Sequence, residues 1–194
     1  MKLYILRHED RPIDCSFFSP LTEKGLINAN NLIPFLNKCQ INYIISSPFI
    51  RTLQTIYPYV KNKKLLINIE YGLSEIHHQD IIPKKAVGQS LPEYLAKYFN
   101  YNKSYDSFIK HHKITYPEIY EDVDKRLKNF LQYFFTKFIK TNYIVVLVTH
   151  QSLCKVILEI VNKYNLINKE LLNNYPKGKL CLVFDNGWCC KEIN

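Results

Sequence analysis

The sequence predicts an α/β protein of three layers, α/β/α, built on a mainly parallel open sheet with helices on both faces. Three observations carry this expectation. Short apolar runs bounded by charge or turn residues recur along the chain. Segments with apolar residues at helical spacing separate them, the alternation that marks a parallel sheet with crossover helices. No repeat, low-complexity tract or Pro-, Gly- or Ser-rich linker divides the 194 residues, so one domain spans 1–194.

Residues 2–7 form a continuous apolar run ending in charge, as suits a strand buried on both faces. After a loop to about residue 21, Thr22 stands as an N-cap, and Leu26, Ala29, Leu32, Ile33 and Leu36 recur at helical spacing. "NYIISS" (42–47) is a second strand, and Pro48 opens a helix to about Val60. "KLLINIE" (64–70) is a third strand. A long polar stretch from Tyr71 to Ser90 follows, punctuated by Gly72, Pro83 and Gly88. Two short helices are expected between 91 and 112. A long amphipathic helix over about 118–140 buries Val123, Leu127, Phe130, Leu131 and Phe134. "YIVVLVTH" (143–150) is the strongest strand, with a helix from Ser152 to Tyr164 behind it. "KLCLVFD" (179–185) and "WCCKEI" close the sheet.

A composition of 47% hydrophobic and 22% charged residues excludes a disordered or fibrous chain. The net charge of +9 suits an anionic ligand, but the lysines are scattered rather than striped with aromatics, which argues against a nucleic-acid partner. Arginine occurs only at Arg7, Arg11, Arg51 and Arg126, so each bidentate donor can be traced individually. The six cysteines contain no CxxC pair, and the one close pair, Cys189 and Cys190, is vicinal. Neither a zinc site nor a structural bridge is expected. The N-terminal apolar run is too short for a signal peptide and nothing reaches membrane-spanning length, so a cytoplasmic protein without a membrane partner is expected.

In open α/β sheets, ligands bind beyond the carboxyl ends of the strands. Strand one ends in Arg7-His8, and strand two in Ser46-Ser47-Pro48 with Arg51 on the following turn. Strand three leads to Glu75, and the strongest strand ends in Thr149-His150. Each residue alone has an ordinary structural explanation; four strand ends together point to one crevice. The set suits phosphoryl transfer. A neutral imidazole is a nucleophile toward phosphorus, arginine forks bind phosphate oxygens, and a carboxylic acid protonates the departing alkoxide. No metal or other cofactor is required, and no metal-ligand spacing is present.

The same residues resemble the motifs of the histidine phosphatase superfamily, also called the phosphoglycerate-mutase-like family. "LYILRHE" resembles its strand with Arg-His-Gly, "LTEKG" (21–25) its Leu-Thr-x-x-Gly helix start, and "SSPFIRTLQT" (46–55) its Ser-Ser-Pro-x-x-Arg-x-x-Gln-Thr. "LSEI" (73–76) is similar to the acid-bearing loop, "VLVTHQSLCKVIL" to the Val-Thr-His-Gly segment, and "YEDVDKRLKNFL" to the helix between. The resemblance runs nearly end to end. It implies that His8 is the phosphorylated nucleophile, that Glu75 is the proton donor, and that Arg7, Arg51 and His150 form the phosphate pocket. Arg126 takes a structural role, with a salt bridge as the expected form. Arg11 stands where two branches of the family carry an extra arginine, and is expected to reach the phosphate; Gln151 lies in the same pocket. Two positions depart from the pattern, Glu9 and Gln151, each standing where the family has glycine. A side chain there implies a narrower pocket, and Glu9 would repel a dianion if it pointed inward.

The region after Glu75 reads "PKKAVGQSLPEYLAKYF", without the Glu-Arg-His-Tyr-Gly stretch of the glycolytic mutases, so hydrolysis of a phosphomonoester is expected over mutase-type transfer. The substrate class is a phosphorylated small molecule or phosphoprotein. Recognition is expected from 71–117, which holds His77, His78, Lys84, Lys85, His111 and His112, and from the Cys15–Pro20 loop. A non-catalytic phosphate-binding protein is the alternative that Glu9 and Gln151 prompt.

Overall fold

The computed structural model describes residues 1–14, 16–78, 90–166 and 169–194. Cys15, Pro83, Lys84, Lys85 and Gly88, singled out from the sequence, lie outside them.

A single sheet runs through the molecule in the order β3-β2-β4-β1-β5-β6. Its strands are β1 (Lys2–Arg7), β2 (Tyr43–Ser46), β3 (Ile67–Ile69), β4 (Ile144–Thr149), β5 (Leu180–Asp185) and β6 (Trp188–Glu192). The first four are mutually parallel, β4 pairing with both β1 and β2. Helices make these crossovers, because parallel neighbours cannot be joined by a tight turn. β5 runs antiparallel to β1, and β6 antiparallel to β5. Asn186-Gly187 turns that last hairpin, with Asn186 at φ 56°.

The pleat of β1 and β4 sorts their side chains into two layers. Leu3, Ile5, Val145 and Leu147 join Val123, Leu127, Phe130 and Phe134 of α5 (Tyr120–Phe138) and Val156, Ile157 and Val161 of α6 (Gln151–Asn162). Tyr4, Leu6, Val146 and Val148 face the other way, onto Leu36 of α2 (Ile33–Lys38), Leu53, Ile56 and Val60 of α3 (Ile50–Lys63), and Ala96 of α4 (Glu93–Ala96). The three-layer arrangement is therefore as expected.

The boundaries differ in places. The helix expected after Thr22 is two, α1 (Glu23–Asn31) and α2, because Pro34 cannot donate to the helical ladder. Thr22 does cap α1, accepting from the Gly25 N–H at 3.0 Å. The buried side of α1 is Gly25 and Ala29, whereas Leu26 is 42% exposed. Gly25 passes so near the loop after β1 that an added Cβ would sit 2.2 Å from the Asp10 carbonyl oxygen. Small residues therefore face inward and the larger leucine outward. The third strand is three residues long, and α3 continues to Lys63 before Lys64 at φ 55° ends it. A short helix, α7 (Lys169–Asn173), was not expected from the sequence.

Candidate active site

The carboxyl ends of β1, β2 and β4 meet at the middle of the sheet, and the residues they deliver are buried, apart from the half-buried Arg7. His8 is 2% exposed, and its N–H donates to the Thr149 carbonyl at 3.0 Å, extending the β1–β4 pairing. Its Nδ1 lies 2.7 Å from the Glu9 carbonyl oxygen. A carbonyl only accepts, so Nδ1 carries the proton and Nε2 keeps its lone pair. Burial, reinforced by the charges of Arg51, Arg7 and Arg11, pushes the His8 pKa down to about 3. The imidazole is neutral at pH 7.

His150 stands across from it, the two rings edge to face with centroids 5.3 Å apart. His150 is fully buried at the N-cap position of α6. Its Nε2 is 2.8 Å from the Ser47 hydroxyl at the end of β2. Burial first, then the Arg51 charge, hold its pKa well below the ordinary histidine range. Glu75 approaches from the other side, with Oε2 3.6 Å from His150 Nδ1. Its Oε1 accepts from the Ile76 N–H at 3.0 Å and from the Ser152 hydroxyl. The carboxyl is thus aimed into the crevice by the first turn of α6.

Arg7 and Arg51 supply positive charge. The Arg51 side chain is fully buried on the first turn of α3, donating to the Ser16 carbonyl at 2.9 Å, with its guanidinium carbon 4.5 Å from the Phe49 ring centre. Arg7 donates from Nη1 to the Tyr175 carbonyl, and its Nε is buried without a hydrogen-bond partner among the described residues. Holding the buried Arg51 and half-buried Arg7 guanidinium groups beside two imidazoles disfavours every cation there, a cost that an anion bound among them would offset.

Arg11 donates to the carbonyls of Pro12 and Ile13 at 2.7 and 3.2 Å, so its side chain folds along its own loop. Its charge nevertheless acts on both histidines, lowering the pKa of each. The Gln151 side chain donates to Asn174 at 3.2 Å beyond α7. The Glu9 carboxyl accepts from Asn28 of α1 at 3.3 Å and rests against Gly178, where an added Cβ would stand 1.8 Å from Oε1. It leads away from His150 and Arg51, and burial holds its pKa above the usual carboxylate range.

A second shell of polar contacts fixes the acid-bearing loop. Arg126 makes a bidentate ion pair with Glu118 at 2.7 and 2.9 Å, as the sequence led us to expect. The same guanidinium donates to the Gly72 and Ser74 carbonyls at 2.8 and 3.1 Å. Glu118 also accepts from the His77 N–H at 3.0 Å. Below it, the fully buried Glu70 accepts from the N–H groups of Gly72, Phe108 and Ile109 and from the hydroxyls of Tyr105 and Ser107, at 2.8–3.0 Å. It thereby ties 105–109 to the end of β3.

The structure thus brings His8, His150, Glu75, Arg7 and Arg51 together, with Arg11 at the rim and the Gln151 side chain turned aside. Sequence reasoning missed Ser152, Phe49, Glu118 and Glu70. Only Ser152 had a signal, a hydroxyl two residues after His150. Among the described residues no group of three His, Cys, Asp or Glu side chains is placed to hold a metal ion. No helix among them is long and apolar enough to cross a membrane.

The fold and this edge define a class: an α/β protein with paired histidines and two arginines at the carboxyl end of its parallel strands. The model of the histidine phosphatase superfamily (branch 1) matches residues 15–186, and the chain belongs to that superfamily. Arg7 and His8 precede the matched span, but the fold likeness to solved structures covers them. The ecdysone phosphate phosphatase of Bombix mori, solved in complex with tungstate, superposes with a TM-score of 0.73 at 14% identity over 98% of this chain and 91% of that one. A mycobacterial glucosyl-3-phosphoglycerate phosphatase gives 0.67 at 18% identity over 100% and 98%. The alpha-ribazole phosphatase of Shigella flexneri gives 0.66 at 16% identity over 100% and 96%. No curated protein matches the chain in sequence.

Proposed function

We propose that the protein is a metal-independent phosphomonoester hydrolase working through a phosphohistidine on His8. The observation that carries this reading is the state of His8: neutral, with its proton held on Nδ1 by the Glu9 carbonyl and its Nε2 lone pair available beside Arg7 and Arg51. The phosphoryl group binds among Arg7, Arg51 and His150, with Arg11 at the rim and the first turn of α6 at Gln151 alongside. Nε2 attacks phosphorus, the ester P–O bond breaks, and Glu75 gives its proton to the departing alkoxide. Glu75, now a carboxylate, takes a proton from water as that water attacks the phosphohistidine. The N–P bond breaks, inorganic phosphate leaves, and both residues return to their starting forms. The arginines stabilise charge gathering on the phosphoryl oxygens.

Phosphatases of quite different small phosphate esters share the fold, which supports a phosphorylated small molecule as substrate. The 71–117 segment is the recognition element in this reading. One pocket of about 290 Å³ lies there beyond β3, lined by Tyr71, Tyr101, Lys103, Lys110 and His111 among others. The Glu9 carboxyl, turned toward Gly178 and Asn28, gives no support to a non-catalytic role.

The test is hydrolysis of p-nitrophenyl phosphate with EDTA present. Turnover is expected, with an acid-labile phosphoenzyme trapped on quenching, and His8→Ala is expected to abolish both. Activity that survives His8→Ala, or that requires a divalent ion, refutes the mechanism.

A further inference from the structure

His77 is a buried histidine that the proposed chemistry does not use. It is 6% exposed, and its Nδ1 is buried with no hydrogen-bond partner among the described residues. Leaving such a nitrogen unsatisfied is costly, and native proteins seldom do so without a purpose. Its position relates it to the site. Ile76 packs into the core layer of α5 and α6, whereas Glu75, one residue before, faces His150. The Phe49 ring, 4.8 Å from the His150 ring, lies 6.5 Å from the His77 ring, so both histidines border the same phenylalanine. The backbone is held at both polar atoms, since the His77 N–H donates to Glu118 at 3.0 Å and its carbonyl accepts from the Glu118 N–H at 2.8 Å. The imidazole is therefore presented by a fixed loop, with little ordering left to do when a ligand meets it.

We infer that His77 is a specificity-determining residue whose Nδ1 hydrogen-bonds an uncharged polar group, such as a hydroxyl, on the alcohol portion of the substrate. The leaving oxygen must lie at Glu75 to receive its proton, so the carbon skeleton starts beside that residue, two positions before His77 in the same loop. Burial and the Arg126 charge hold the His77 pKa down to about 4, so the ring is neutral and suits a hydroxyl better than a second anion. The inference rests on the phosphatase reading above.

Two esters differing only in hydroxyls, glycerol 3-phosphate and propyl phosphate, provide the probe. The wild-type protein is expected to favour glycerol 3-phosphate in kcat/KM by roughly ten-fold, the worth of one well-placed hydrogen bond. His77→Phe keeps an aromatic ring against Phe49 and is expected to collapse that ratio to about one, the loss falling on KM. His77→Asn, whose side-chain amide can stand in for Nδ1, is expected to restore much of it, and His77→Gln, which reaches the Nε2 position, is not. The thermal midpoint of His77→Phe is expected to equal or exceed that of the wild type, because a buried unsatisfied nitrogen has been removed. An unchanged ratio in His77→Phe, or an equal loss on both esters with a lowered midpoint, overturns the inference while leaving the phosphatase reading intact. Hydrolysis of neither ester by a protein that turns over p-nitrophenyl phosphate also overturns the inference, whereas failure on p-nitrophenyl phosphate, or activity retained in His8→Ala, means that the underlying reading fails first.

Discussion

Replacing Arg126 with methionine isolates what holds the acid-bearing loop. The guanidinium makes four short bonds, two to Glu118 and one each to the Gly72 and Ser74 carbonyls. Arg126 and Glu118 are 7% and 1% exposed, so solvent does not replace those bonds. Methionine fills the space but leaves the Glu118 carboxylate buried without its cation. Breaking a buried pair this way costs about 3–5 kcal/mol, against a total stability of roughly 5–15 kcal/mol. At roughly 2–4 °C per kcal/mol for a chain of this size, the melting midpoint should fall by about 10 °C. The double variant Arg126→Met/Glu118→Met leaves no lone charge and should recover roughly half of that loss. Activity should not recover with it, because the Gly72 and Ser74 carbonyls and the His77 N–H lose the partners that aim Glu75. Calorimetry and p-nitrophenyl phosphate turnover on both variants give the check. A single variant within about 1 kcal/mol of wild type refutes the reasoning. So does a double variant no more stable than the single one.

Glu75→Gln should reduce kcat on an alkyl phosphate by roughly 10²–10⁴-fold and on p-nitrophenyl phosphate by less, because nitrophenolate departs without much protonation; equal losses on the two esters would contradict the acid role. Gly178→Ala should destabilise by about 2 kcal/mol or more in urea titration, since its φ is +65° and the new methyl would meet the Glu9 carboxyl. Glu9→Gly in the same chain should recover the part due to the clash, leaving the part due to φ. Acid should destabilise the fold steeply. His8 at about 3, His77 at about 4 and His150 well below the ordinary range are neutral when folded, yet protonate near 6.5 when unfolded. Stability from these groups is complete above about pH 6.5 and is lost as pH falls toward the folded values, with a slope of up to about 4 kcal/mol per pH unit. Glu9, with its raised pKa, opposes this slope by a single group's share. A urea midpoint that stays flat between pH 7 and 5 would show that these imidazoles are not buried neutral.

Much of this molecule is legible in its sequence because topology does the placing. Strands β1, β2 and β4 are apolar runs, and in a parallel sheet the residues after such runs meet at one edge whatever the loops do. Arg7, His8, Ser47, Arg51 and His150 are therefore found by reading strand ends. Residues held by contacts between remote segments are not found this way. Glu118 is a surface-type residue by composition, and only the fold brings its carboxylate to Arg126 and the His77 backbone. The buried face of α1 was misread for a related reason. Apolar periodicity assumes that bulk faces inward, whereas close approach to the Asp10 carbonyl admits only a glycine there. The extent of β3 was overestimated because, among the described residues, its outer edge pairs only through an isolated bridge from Ile67 to Tyr101.

The conflict at Glu9 resolves through a division between backbone and side chain. What His8 takes from residue 9 is backbone. The carbonyl holds the proton on His8 Nδ1, and the N–H is anchored on the Thr55 hydroxyl at 3.0 Å, fixing that carbonyl's direction. Neither contact depends on which side chain residue 9 carries. The side chain need only leave the crevice, and it does so toward α1 and the segment before β5, where Asn28 donates to it and Gly178 leaves room. The steric demand has thus moved from position 9 to position 178. Gly178 meets it in a second way, since its N–H donates to the Arg7 carbonyl at 3.1 Å and so holds the end of β1 in line. On the proposed mechanism, a carboxylate directly after His8 is compatible with anion binding only where residue 178 is small enough to admit it, and this makes Gly178 a determinant of the site alongside Arg7 and Arg51.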